Sequence, residues 1–164
     1  MTRFAADTTV PAERSRAEIE QILTRYGASE YMYGWREENA VVQFHMAGRH
    51  IRFVLPLPSK QDPAYTRTPA RGKQRDPEAA ERAWEQATRQ RWRALALVIK
   101  AKLEAVDSGI TTTEQEFLAH TVLPDGCTVG EHSLPMIRRA YETCTMVEIL
   151  PMLLPASGGQ PRRS

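Results

Sequence analysis

The sequence predicts an α+β domain: an N-terminal helix, a three-stranded antiparallel meander, a long basic amphipathic helix packed on the sheet, and a short C-terminal hairpin and helix. Three observations carry this reading. Between Glu30 and Leu55 three segments of strand length alternate or run apolar, parted by turn-forming residues. From Asp76 to Ser108 a helical period runs without a breaker. The 164 residues, 41% hydrophobic and 26% charged, match one domain able to bury a core without disulfides or a structural metal.

The first helix follows Pro11, because proline suits a first turn and Ile19, Ile22, Leu23 and Tyr26 recur at helical spacing before Gly27. Strands are predicted over Glu30 to Trp35, Ala40 to Met46 and Arg49 to Leu55, with turns at Glu37-Glu38-Asn39 and Ala47-Gly48. In the third strand Ile51, Phe53 and Leu55 share the face expected to meet the core, and His50, Arg52 and Val54 the other. The connection at 57–75 carries prolines and bases with few apolar residues, so it reads as a mobile loop. Asp76-Pro77-Glu78 then opens the long helix, about 45 Å for some 30 residues, with Trp84, Trp92, Leu95, Ile99, Leu103 and Val106 as its buried stripe. The sheet is its expected partner. A short helix from Thr113 to about His120, a tight turn at Pro124-Asp125-Gly126 and a last helix from Ser133 to about Thr143 complete the domain, which spans 10–154. Residues 1–9 and 155–164 are expected to be a flexible N-terminus and a disordered tail.

Composition narrows the setting. The N-terminus lacks an apolar run of signal-peptide length, Cys127 and Cys144 are the only cysteines, and the longest apolar stretches fall far short of the roughly 20 residues a bilayer crossing needs. A cytoplasmic protein with no membrane contact is expected. The net charge is +2, but Arg67 to Lys102 holds ten bases against four acids. The basic character therefore belongs to one segment, as a polyanion partner would require.

Within that segment Arg82, Arg89, Arg93 and Lys100 follow spacings of 7, 4 and 7, which lines them up along the helix. The row is expected to point away from the Trp92/Leu95/Ile99 stripe and to be continued by Arg71, Lys73 and Arg75 on the loop, a shape along which a phosphate backbone could lie. A solvated helix face with local pairing to Glu81 and Glu85 is the plainer alternative. Tyr31, Tyr33 and Trp35 alternate, so their rings leave one face of the first strand. They are either a platform for unpaired bases or core aromatics under a helix, and Gly34 between them suggests a bulge or a close approach.

Catalysis has no such foothold. GxSxG, Walker, Rossmann, HExxH and kinase-type motifs are absent, and neighbouring acids such as Glu18 and Glu20, or Glu114 and Glu116, would point in different directions. His120, Cys127, His132 and Cys144 are zinc-ligand types without paired spacing, so two buried cysteines and two ordinary histidines account for them, and Asp125 reads as a turn residue. No catalytic residue, metal site or cofactor is assigned.

The segments GRHIRFVLPLP, RQRWRALALVIKAKLEAVDSGI and EFLAHTVLPDGCTVGE resemble a family of small uncharacterised proteins encoded in bacteriophages and prophages, over about Thr8 to Pro151. No activity comes with that resemblance. It implies a phage product made in a bacterial cytoplasm, handling DNA or disarming a host system. The order of helix, three strands and helix is also similar to double-stranded-RNA-binding domains and to the core of single-strand-annealing proteins, a likeness of topology alone. The expected function is a non-enzymatic accessory protein that binds nucleic acid in phage recombination or replication. The alternative is an inhibitor of a host factor, or a self-assembling homo-oligomer, acting through protein contacts.

Overall fold

The computed structural model describes residues 8–36, 38–68 and 72–144. Helix α1 (Ala12–Arg25) follows Pro11 and carries Glu13 in its first turn, where an acid suits the helix dipole. Its four-residue repeat buries Ser15, Ile19 and Leu23 on one stripe. Gly27, at φ 81°, then turns the chain into the sheet.

The strands β1 (Ser29–Arg36), β2 (Asn39–Met46) and β3 (Arg49–Pro56) form an antiparallel meander in the order β1-β2-β3. Ala47 and Gly48 both have positive φ, as a two-residue hairpin turn with the twist of its strands demands. The expected register of β3 holds. Val42 pairs with Phe53, Phe44 with Ile51 and Ala40 with Leu55, and all six are buried on one face. The bulge in β1 falls between Ser29 and Met32, with Glu30 at φ 56°, and not at Gly34, where an added Cβ would meet nothing within 4 Å.

Among the described residues of 57–75 regular structure is limited to the short helix α2 (Pro63–Thr66) and one bridge between Arg67 and Gln74. The start of this connection is nonetheless tied down. Trp84 Nε1 donates to the Pro58 carbonyl at 2.7 Å, and Lys60 pairs with Glu81 at 2.7 Å while lying over the Trp84 ring. Helix α3 (Pro77–Asp107) begins and ends where its capping residues predict. Trp92, Leu95, Ile99 and Leu103 are buried, whereas Trp84 and Val106 toward the ends are only partly covered.

Helix α3 packs on the sheet as expected, but not alone: α1 lies along it, and the two helices together cover the sheet. Ile19 and Leu23 complete the layer, so α3 does not need the sheet alone to bury its stripe. Past α3, helix α4 (Thr113–Phe117) starts at a Thr112/Gln115 capping box and continues as one 3-10 turn to His120. Phe117 is inserted edge-on against Phe44 and Phe53, with ring centroids at 5.9 and 6.1 Å. Thr121 then bridges to Ile51 on β3, and Val122 to Thr128 across the Pro124-Asp125-Gly126 turn.

Helix α5 (Val129–Thr143) starts four residues before the predicted Ser133. Thr128 and Glu131 form a capping box that satisfies the first-turn amides, so the helix nucleates upstream and Pro135 lies inside it. Both cysteines are exposed, contrary to the expected burial. No helix among the described residues is long and apolar enough to cross a membrane. The expected N-terminal segment 1–9 and the tail 155–164 lie largely or wholly outside the described residues.

Candidate nucleic-acid interface

The basic row is not the open track that its spacing suggests. At about 100° per residue, Arg82, Arg89, Arg93 and Lys100 lie about 80° from the middle of the buried stripe, on its flank and not opposite it. Helix α1 packs on α3, and two of the four bases are drawn into that contact. Arg93 pairs with Glu18 of α1, and its side chain is 24% exposed. Arg89 is 30% exposed, donates to Gln86 at 2.7 and 3.1 Å, and edges a cleft with Pro11, Ala12, Glu13 and Trp84. Arg82 is exposed but sits 3.5 Å from Glu78. Lys100 is exposed and, among the described residues, has no carboxylate within ion-pair distance.

The Arg93–Glu18 pair acts in the fold, so a substitution there reads out in stability. Arg93→Ala is expected to lower the unfolding free energy by about 1 kcal/mol, and Glu18→Gln combined with it to show coupling of that size. Lys100→Ala should change it by less than about 0.5 kcal/mol. Urea denaturation of the two single variants and the double variant measures this, and zero coupling would remove Arg93 from the α1–α3 contact.

On the connection, Lys73 is exposed and Arg75 is half-buried, its Nε donating to the Arg67 carbonyl at 3.0 Å. Arg71 lies outside the described residues. Arg67, Lys73, Arg75, Arg91 and Lys100 are thus the bases of the basic segment that, among the described residues, no carboxylate neutralises. Arg67 and Arg91 become candidates through this pairing pattern, which spacing along one helix could not show.

The aromatic alternation also divides. Tyr33 and Trp35 pair with Val42 and Ala40, so their rings leave the helix-covered face of the sheet. Tyr31 is half-buried, and burial foremost, with the nearby Glu20 carboxylate next, pushes its phenol up to about 12. Tyr33 meets Trp92 edge-on at 6.5 Å, and the Arg16 guanidinium lies over both rings at 5.1 and 5.3 Å. Tyr31 is therefore a packing residue, whereas Tyr33 packs one edge on Trp92 and is still 44% exposed. Trp35 is different: it is 76% exposed, beyond the reach of the helices, and borders a surface hollow with Met32, Gly34, Val41 and Gln43.

Trp35 and the basic connection occupy the same end of the sheet. Trp35 pairs with Ala40, Asn39 pairs with Pro56, and the Leu57 amide donates to the Glu38 carbonyl at 2.6 Å as the connection leaves. An indole free to stack and a base-rich segment thus start from one edge of the molecule. Among the zinc-ligand types, His120 stacks on Phe53 at 3.9 Å and Cys144 caps the far end of α5, whereas Cys127 and His132 converge with Asp125. Comparison with family models, with curated proteins and with solved structures yields no match, so the reading of this surface rests on its residues.

Proposed function

We propose that the protein is a non-enzymatic binder of single-stranded nucleic acid, in the phage setting that the sequence resemblance suggests. The observation that supports it is the exposed Trp35 ring at the edge from which the basic connection springs. Bases of any sequence can stack on an indole, and lysines and arginines without acidic partners can neutralise phosphates by releasing counterions. Arg67, Lys73, Arg75, Arg91 and Lys100 supply the charge, and Trp35 supplies the preference for unpaired strands.

The test is fluorescence anisotropy of labelled single-stranded DNA, duplex DNA and RNA across a salt series. Affinity should fall steeply with salt, and Lys73→Gln with Lys100→Gln should flatten the log–log slope by about 1.4 for a single strand, some 0.7 for each phosphate no longer neutralised. Trp35→Ala should weaken single-strand binding by about 5- to 150-fold, the equivalent of one stacked base, without changing the melting curve. Absence of binding at low salt, or indifference to Trp35→Ala, overturns the reading.

A second reading is favoured by a different surface. Leu134, Ile137 and Tyr141 of α5 recur at helical spacing and are all exposed, which suits contact with a host protein or a second copy of the chain.

A further inference from the structure

We infer that the turn before α5 is a binding site for a single zinc-type transition-metal ion, ligated by Asp125, Cys127 and His132. One donor atom from each of these side chains, a carboxylate oxygen, a thiol sulfur and an imidazole nitrogen, lies within 4.8 Å of the other two. In a tetrahedral zinc centre with bonds of 2.0–2.3 Å, ligand atoms stand about 3.3–3.8 Å apart. The widest separation needs to close by about 1 Å, while Asp125 Oδ2 and His132 Nε2, now 2.6 Å apart, need to open by about 0.7 Å, and exposed side chains manage both by small rotations about χ1 and χ2.

The backbone holds them in place before any ion arrives. Gly126, at φ 85°, makes the turn, and the Leu123 amide donates to the Cys127 carbonyl at 2.8 Å. Asp125 Oδ1 accepts from the Cys127 amide at 2.9 Å, and Oδ2 lies 2.6 Å from His132 Nε2. His132 stands in the first turn of α5, whose start is fixed by the Thr128/Glu131 capping box. Glu131 is occupied there and by Arg52 at 2.8 Å, so it does not compete as a ligand.

A surface ion pair between Asp125 and His132 explains two of the groups and leaves the sulfur beside them unexplained. A mixed sulfur, nitrogen and oxygen set selects a borderline ion such as Zn²⁺ or Co²⁺ over Mg²⁺ or Ca²⁺, which take oxygen ligands. On coordination the thiol proton leaves to solvent and the thiolate binds. With three protein ligands, the fourth tetrahedral position is open to water or to an anionic ligand. The sequence hides the site because its ligands follow a D-x-C-x4-H spacing that no paired motif announces.

The experiment is titration of the reduced full-length protein with Co²⁺, followed by displacement with Zn²⁺. One Co²⁺ per chain is expected, with sulfur-to-metal charge-transfer absorption and the visible bands of four-coordinate cobalt, unaffected by excess Mg²⁺ or Ca²⁺. Cys127→Ser should abolish the charge-transfer absorption, and Asp125→Asn and His132→Ala should each weaken binding by at least about tenfold, the smallest loss usual even for groups that only support a ligand. Cys144→Ser should change neither, because Cys144 caps the far end of the 15-residue α5, a helix about 22 Å long that starts beyond Cys127. Circular dichroism melting of each variant separates loss of ligand from loss of fold, since all three positions are exposed. No saturable binding at micromolar metal, or charge-transfer absorption that survives Cys127→Ser, overturns the assignment.

Discussion

Phe117→Ala should lower the free energy of unfolding by about 3–5 kcal/mol, the range for a large ring removed from a packed core. Its side chain is 1% exposed and lies edge-on against both Phe44 and Phe53, so truncation opens a cavity that neither neighbour can fill without leaving its own strand position. The position has a second consequence. α4 is only five residues long, so Phe117 is the buried anchor that, beside the Thr121–Ile51 bridge and the His120–Phe53 stack, holds the chain between α3 and α5 on the sheet. Urea denaturation monitored by far-ultraviolet circular dichroism gives the free energy. Amide exchange in Val129–Thr143 reports whether α5 loosens first, as it should if Phe117 is the anchor. A loss below about 1 kcal/mol would falsify the account of a single core joining both halves.

Much of this architecture was legible because local signals and burial agree. The alternation Ile51, Phe53, Leu55 set the core face of β3, and Asp76-Pro77 with Ser108-Gly109 bounded α3 to within a residue. The start of α5 was missed for a definite reason: Thr128-Val129-Gly130-Glu131 is a capping box, but Pro135 six residues beyond its first helical residue looked like a helix opening. The site was less legible than the fold. Helical spacing groups Arg82, Arg89, Arg93 and Lys100 correctly, yet which flank of α3 receives α1 depends on tertiary packing, and that packing pairs Arg93 with Glu18. In the same way alternation puts Tyr31, Tyr33 and Trp35 on one face, but only the reach of the helices decides that Tyr33 meets Trp92 while Trp35 stays open.

Gly130→Ala should destabilise the protein by about 1–3 kcal/mol, although alanine is the better helix former by about 1 kcal/mol. Gly130 is buried in the first turn of α5 with an ordinary helical φ, so conformational freedom is not what requires glycine there. Space is. A Cβ at this position would stand 2.7 Å from the Ala119 carbonyl oxygen and 3.5 Å from its carbonyl carbon and Cβ. The obstacle is backbone, which cannot rotate aside like the end of a flexible side chain, so either α5 or the 3-10 turn at Leu118–His120 must shift. The shift would pull on the bridge from Thr121 to Ile51 and on the Arg52–Glu131 pair, which join this region to β3. The sign of the effect is the decisive reading: a melting temperature raised by Gly130→Ala would mean that helix propensity outweighs the close approach and that α5 does not rest on Ala119. A lowered melting temperature, with amide exchange accelerated in α5 and unchanged in α1, is the outcome the packing requires.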